Sequence, residues 1–177
     1  MTDGLEAETP AGLVPARQPL PDYPRARDMG GGVWVVDTLH LGHPGTIGAF
    51  LVTLPGGGYA LVETGPGSTL PELLTGLRSL GVEPRAVTHV LVTHIHLDHA
   101  GAAGAVARLS GAKVFVHEAG APHLVDPSRL MASALRVYGD ALQRLWGDML
   151  PLPAEQVVAV SDGDRLDVGG LEVRVLH

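Results

Sequence analysis

Three histidines and one aspartate fall within six consecutive residues of this 177-residue chain: His94, His96, Asp98 and His99. Alternate side chains of an extended chain project to the same side, so His94 and His96 are expected to share one face. Asp98 and His99 come where the chain is predicted to turn into a helix, and they can approach the same point from another direction. Imidazole nitrogens and a carboxylate are common ligands of zinc and related metals. The spacing therefore predicts a metal centre.

The elements on either side of this motif position it. The apolar, β-branched run 86–92 predicts a buried strand, and the small residues 100–109 predict a helix. A single histidine at a strand end is usually a surface or hydrogen-bonded residue. Several polar groups beside a buried strand would each cost roughly 2 to 7 kcal/mol if they lacked partners, which favours the metal centre.

The run from Leu91 to Gly101 resembles the signature of the metallo-β-lactamase-fold hydrolase superfamily, which includes glyoxalase II and lactonases. The resemblance implies an α/β (α+β) fold, an αββα sandwich with one or two metal ions at the edge of its sheets. It also implies that His94 and His96 ligate the first metal, and Asp98 and His99 the second. The implied metal is zinc, with iron as the alternative. Glu63-Thr64-Gly65 resembles the Asp-Thr-Gly turn whose acid supports the ligands in this family, with an acid one methylene longer.

The composition limits the classes of partner. With 45% hydrophobic and 18% charged residues, the chain is expected to be a soluble globular protein. A net charge of -7 disfavours nucleic acid and anionic membranes as partners, which leaves a small-molecule substrate. The absence of cysteine excludes disulfides and thiolate ligands. The acidic N-terminus without a long apolar run predicts a cytoplasmic protein.

The domain organisation is simple. Residues 1–30 contain five prolines and predict an extended or disordered lead-in, followed by a metallo-β-lactamase-like domain over 31–177. Strands are predicted at 33–36, 47–52, 59–62, 114–116, 157–160, 165–168 and 171–176. A long helix is predicted from Asp126-Pro127 to about residue 146. Its apolar stripe is typical of core, but we hypothesise that Met131, Tyr138 or Trp146 face the metal cleft.

Four further histidines are candidates with simpler explanations. His40 and His43 lie in a loop that flanks the active site in the family, where they would contact substrate or be ordinary loop residues. His117 ends a short strand, and no second donor accompanies it in the sequence, which favours a structural role. His177 is either a strand-end residue or a third ligand of the first metal, and the first interpretation is favoured because the family's ligand lies in a turn.

The resemblance covers about the N-terminal half to two-thirds of the family's pattern. The family's Thr-Pro-Gly-His turn, its bridging aspartate and the remainder of its second half have no counterpart before His177. The sandwich is therefore expected to be incomplete at its C-terminus, and the chain is expected to be a fragment or to self-associate through the uncovered sheet face.

These observations predict a metal-dependent hydrolase that acts on a small ester, thioester or lactone through a metal-bound hydroxide. Zinc lowers the pKa of bound water from about 15.7 to about 7. Asp98 is the candidate catalytic residue because its carboxylate could orient that water. One alternative is an iron-dependent enzyme resembling persulfide dioxygenases. Another, for the 177-residue chain alone, is a metal-binding fragment without catalytic activity.

Overall fold

A computed structural model describes residues 23–177, which form nine strands and six α-helices joined by short turns and 3-10 segments. The strands are β1 (Ala26–Gly30), β2 (Val33–Asp37), β3 (Gly48–Thr53), β4 (Tyr59–Val62), β5 (Val87–Leu91), β6 (Lys113–His117), β7 (Val157–Val160), β8 (Arg165–Val168) and β9 (Leu171–Arg174). The helices are α1 (Leu70–Ser79), α2 (Leu97–Ala100), α3 (Ala103–Ser110), α4 (Ala121–Val125), α5 (Ser128–Tyr138) and α6 (Leu142–Leu145).

The first seven strands form one sheet in chain order. Strands β1 to β4 pair antiparallel as a meander, and β4 to β7 pair parallel with helices in the connections. Strands β8 and β9 form a separate antiparallel hairpin. The hairpin is tied to the first sheet by the Gly56 N–H, which donates to the Gly169 carbonyl at 2.8 Å. The alternation of strand and helix after β4 follows the predicted α/β layer.

The core lies between the sheet and the helices α1 and α3. Leu61, Val90 and Val114 of the parallel strands are fully buried, together with Leu73 of α1. A smaller apolar cluster, formed by Leu54, Ala60 and Val168, joins the hairpin to the sheet. None of the helices in residues 23–177 is long and apolar enough to cross a lipid bilayer.

Two predictions about the elements need correction or refinement. Residues 1–30 were predicted as an extended or disordered lead-in, and the part of this segment up to residue 22 lies outside the described residues. Within the described part, Ala26–Gly30 forms the edge strand β1, so the sheet begins before residue 31. The predicted long helix is interrupted: α5 ends at Tyr138, Gly139 takes a positive φ of 52°, and after a 3-10 turn over Gly139–Ala141 an α-helix resumes at Leu142. Glycine tolerates this conformation without the steric cost that other residues meet.

Candidate metal centre

The parallel strands bring the candidate residues to one edge of the sheet. Strands β4, β5 and β6 run in the same direction, so their carboxyl ends meet. Glu63 follows β4, the segment from Thr93 to His99 follows β5, and His117 ends β6. This edge is where open parallel sheets usually bind ligands.

The motif histidines face one another. His94 Nε2 lies 3.1 Å from His96 Nδ1, and the two rings meet edge to face with centroids 4.7 Å apart. His99 reaches the same point from the start of α2, with its ring centroid 4.0 Å from that of His94. Asp98 Oδ2 lies 3.3 Å from His99 Nε2. The structure therefore brings all four predicted ligands into one cluster.

A buried acid supports this cluster from behind. Glu63 is 7% exposed, and its Oε1 accepts a hydrogen bond from the Thr93 N–H at 3.1 Å. Its Oε2 lies 3.4 Å from His99 Nδ1. The next residue, Thr64, fixes the same histidine, because its N–H and its hydroxyl both donate to the His99 carbonyl, at 2.8 and 3.0 Å. The supporting role predicted for Glu63 agrees with this geometry.

The environment of His94 favours its neutral form. Burial lowers the pKa of His94 from its ordinary value, and the neighbouring His99 and His96 lower it further. Glu63 and Asp98 act in the opposite direction without reversing the shift. On its other side, the His94 Nδ1 lies 2.9 Å from the Thr93 hydroxyl. A neutral imidazole with one ring nitrogen engaged in this way can offer the other as a metal ligand.

The donors fit a metal ion in their chemistry. Within residues 23–177, no group of three or more His, Asp or Glu side chains is arranged to hold a metal ion. The 3.1 Å between the donor nitrogens of His94 and His96 is nevertheless close to the separation of roughly 3.3 Å expected for two ligands on tetrahedral zinc. In addition, Glu63 Oε2 is buried and makes no hydrogen bond within the described part of the chain, so it can accept one from a metal-ligating His99. Nitrogen and oxygen donors suit zinc or iron.

A cavity of about 360 Å³ opens beside the cluster. His96 and Asp98 form one wall, and the aromatic rings of Tyr138 and Trp146 form part of the other, with centroids 5.5 Å apart. The hypothesis that Tyr138 or Trp146 faces the cleft is confirmed for both residues. It is not confirmed for Met131, which packs against the core and is not among the residues that line this cavity.

Close contact between two backbone segments holds Trp146 at this cavity. The Ser68 N–H donates to the Trp146 carbonyl at 3.0 Å, and the Ser68 hydroxyl to the Leu145 carbonyl at 2.8 Å. The segments can approach because both contain glycine: a Cβ at Gly67 would overlap the carbonyl of Asp148, and one at Gly147 would overlap the N–H of Ser68. This contact between the two segments could not be predicted from local sequence, since glycines far apart in the chain give no local signal.

The other candidate histidines take different positions. His40 stacks on Trp146 with ring centroids 5.1 Å apart, which brings its loop beside the cavity, whereas His43 is exposed. His117 stacks on His177 at 3.9 Å, so His117 does have a second imidazole beside it, contrary to the expectation from sequence. Both rings line a cavity that His94 also lines. The ligand role of His177 remains a prediction.

Comparison with known proteins agrees with this architecture. The family model for the metallo-beta-lactamase superfamily matches residues 23–177. Among solved structures, a subclass B3 metallo-beta-lactamase from a soil metagenome library superposes with a TM-score of 0.64 at 26% identity, over 86% of this chain and 52% of that chain. A metallo-beta-lactamase from Cronobacter sakazakii, at 22% identity and a TM-score of 0.62 over 86% of this chain and 53% of the other, shares the fold.

Curated relatives extend over part of the chain. An uncharacterized protein of Mycobacterium tuberculosis is 32% identical over 132 residues, which cover 72% of this chain and 52% of the relative. A metallo-beta-lactamase fold-containing protein of Sulfurisphaera tokodaii is 27% identical over 92 residues, 50% of this chain and 35% of that protein. The chain spans about half the length of the mycobacterial relative and about half the length of the solved structures. The match of the family model over residues 23–177 shows that the chain belongs to the metallo-beta-lactamase superfamily.

Proposed function

We propose that this protein is a metal-dependent hydrolase of small esters, thioesters or lactones. The observation that carries the proposal is the meeting of His94, His96, Asp98 and His99 beside an open cavity that His96 and Asp98 themselves line. Superfamily membership supports a hydrolase of this kind. A bound substrate in the cavity would lie directly against the proposed metal ligands.

The proposed ligands divide into two pairs. His94 and His96 would hold a first ion, and Asp98 and His99 a second, with zinc as the expected metal. When bound, zinc supplies a water of lowered pKa and a positive charge that polarises a carbonyl. Glu63 would act through His99, by keeping its Nδ1 protonated and its Nε2 available as a ligand.

The chain's own groups have separate tasks. Asp98 borders the cavity, so its carboxylate can orient an attacking water and accept its proton. The lowered pKa of His94 favours the neutral imidazole that a metal ligand requires. The apolar side chains that line the cavity, including Leu130 and Val137, would be covered by a bound substrate, which would displace water from the reacting group.

The net charge of the chain and the volume of the cavity favour a small molecule over a large anionic partner. The chain carries a net charge of -7, which offers no general attraction for the phosphates of nucleic acid or for anionic lipid. The cavity volume of about 360 Å³ is near the lower end for small-molecule sites. We therefore propose a small-molecule substrate and no nucleic-acid partner.

Turnover of simple esters and thioesters by zinc-loaded protein tests the proposal. We expect p-nitrophenyl acetate or an acyl thioester to be hydrolysed, with activity lost in His94→Ala and Asp98→Ala. His89→Ala is the matched control, since His89 lies on β5 but stacks on Phe115 away from the cluster. Unchanged metal content and turnover in the two site variants would refute the mechanism.

Metal analysis separates the remaining alternatives. Protein purified without chelators should contain zinc if it is a hydrolase. Iron with little zinc, together with oxygen-dependent turnover of a persulfide, would favour the oxygenase alternative. Bound zinc with no hydrolysis of any ester would indicate a metal-binding chain without catalytic activity.

A further inference from the structure

We propose that the cavity beside the cluster binds an uncharged, apolar acyl group of the substrate, laid along helix α5 with its carbonyl at His96 and Asp98. This inference rests on the proposed hydrolase function and adds the substrate class.

One face of α5 forms the cavity wall. The residues of α5 that line it recur at intervals of three and four, which places them on a single side of the helix. They are Leu130, Ser133, Ala134, Val137 and Tyr138. Together with Trp146 of the following segment, this face presents mainly aliphatic and aromatic surface to a ligand.

Only part of this apolar face is used by the core: Leu130 and Ala134 pack against the core, whereas Val137 and Tyr138 stay exposed beside the cavity. Ala134 is the only buried residue of α5, whereas Val137 is 75% exposed although it borders the cavity. Tyr138 is 39% exposed. An apolar ligand would remove this surface from water, and burial of that kind is the main source of affinity for such a group.

The charges near α5 argue against an anionic group in this position. Among residues 23–177, no lysine or arginine lines the cavity, and Asp98 is the one acidic residue that does. Arg129 and Arg136 of the same helix line a different cavity, and Arg136 donates to the Ser133 hydroxyl at 2.8 Å. A carboxylate on the acyl group would therefore lose hydration without gaining a cationic partner.

A binding experiment on metal-free protein tests the inference separately from catalysis. The chain has two tryptophans, so Trp34→Phe leaves Trp146 as the single indole reporter. We would titrate this protein with hexanamide, acetamide and hexanoate and follow the fluorescence of Trp146. Hexanamide should bind at least about tenfold more tightly than acetamide, because each buried methylene contributes roughly a threefold to fourfold gain. Hexanoate should bind more weakly than hexanamide.

Two variants of α5 localise the effect. Val137→Asn should weaken hexanamide binding about threefold or more. Leu135→Asn is the matched control, since Leu135 is also exposed, at 56%, but lies off the cavity face. Equal affinities for hexanamide and acetamide, tighter binding of hexanoate, or equal effects of the two variants would overturn the inference.

Two further measurements separate this inference from its alternatives. If Val137→Asn dissociates a dimer in sedimentation experiments and leaves hexanamide affinity unchanged, the face is a contact between copies of the chain and the inference is wrong. With zinc-loaded protein, hexanoyl esters should be hydrolysed with a higher kcat/KM than acetyl esters. Absence of all ester turnover alongside the expected amide binding would contradict the hydrolase and leave the binding site supported.

Discussion

Glu63 and His99 face each other across the sheet edge, with the carboxylate Oε2 3.4 Å from the ring Nδ1. The pair links the turn after β4 to the start of α2. Glu63 adopts this position with a positive φ of 63°, which is uncommon for a residue other than glycine and costs of order 1–3 kcal/mol. Such strain persists where surrounding contacts fix the backbone, and here the Glu63 N–H donates to the Leu91 carbonyl at 2.9 Å.

Replacing Glu63 by glutamine should weaken metal binding without unfolding the protein. The amide keeps the acceptor for the Thr93 N–H but turns an NH2 group toward His99, so the ring loses its acceptor and shifts toward the other tautomer. We expect zinc affinity to fall about 10-fold to 100-fold. The measurement is a zinc titration combined with imidazole nitrogen NMR shifts. A wild-type affinity with an unchanged His99 tautomer would show that Glu63 does not act through this ring.

Replacing Gly67 by alanine should displace Trp146. The added Cβ would overlap the Asp148 carbonyl, a backbone atom that cannot move without shifting the segment that follows α6. We expect a loss of about 1–3 kcal/mol in the free energy of unfolding and a change in tryptophan fluorescence. Gly163→Ala is the control, since a Cβ there meets open space, so it should cost backbone strain without altering the fluorescence. Identical tryptophan fluorescence spectra for Gly67→Ala and Gly163→Ala would show that the close contact at Gly67 does not hold Trp146 in place.

The stability of metal-free protein should fall on mild acidification. Because the pKa of His94 is lowered in the folded state, mainly by burial, the unfolded chain binds this proton at higher pH than the folded one. The contribution to stability is therefore complete above the ordinary pKa of about 6.5 and declines as the pH falls below it. Urea unfolding at pH 7.5 and 5.5 should show a smaller decline for His94→Asn than for wild type. A decline as large as that of wild type would exclude His94 as a source.

The hydrogen bond between Tyr23 and Asp37 should delay the ionisation of Tyr23 at alkaline pH. The Tyr23 hydroxyl donates to Asp37 Oδ2 at 2.6 Å, and this hydrogen bond raises the pKa of Tyr23 above its ordinary value. The folded state therefore keeps the phenol protonated, and its stabilisation is present below pH of about 10 and lost as the pH rises through the raised pKa. Ultraviolet titration should show one late-ionising tyrosine that Tyr23→Phe removes. Its persistence in Tyr23→Phe would assign it to another residue.

Local sequence pattern was sufficient for most of the elements and for the motif cluster. Strands β2, β4 and β5 carry dense apolar runs, and the spacing of His94 and His96 on extended backbone brings their nitrogens to 3.1 Å. The edge strand Ala26–Gly30 was missed because four of its five residues are exposed, so no alternation marks it. Its strand conformation depends on pairing with β2.

The cavity walls were harder to predict because they depend on distant contacts. Helical periodicity continues past Gly139, so the pattern alone does not reveal the break that separates Tyr138 from Trp146. The same periodicity makes Met131 and Tyr138 equally good candidates for the cavity wall. In the structure, Met131 packs against the core and Tyr138 lines the cavity. The stacking of His117 on His177 joins residues 60 positions apart and likewise leaves no sequence signal.

Zinc binding by wild-type and ligand-deficient chains tests the central claim most directly. Competition with a chromophoric chelator should give one or two zinc ions per chain for wild type and for His89→Ala. His94→Ala and His96→Ala should each lower the zinc affinity by at least about a hundredfold, since removing a ligand costs more than removing a residue, such as Glu63, that hydrogen-bonds to a ligand. A wild-type chain that binds no zinc or iron, or variants that bind it as wild type does, would contradict the claim that these histidines form a metal centre.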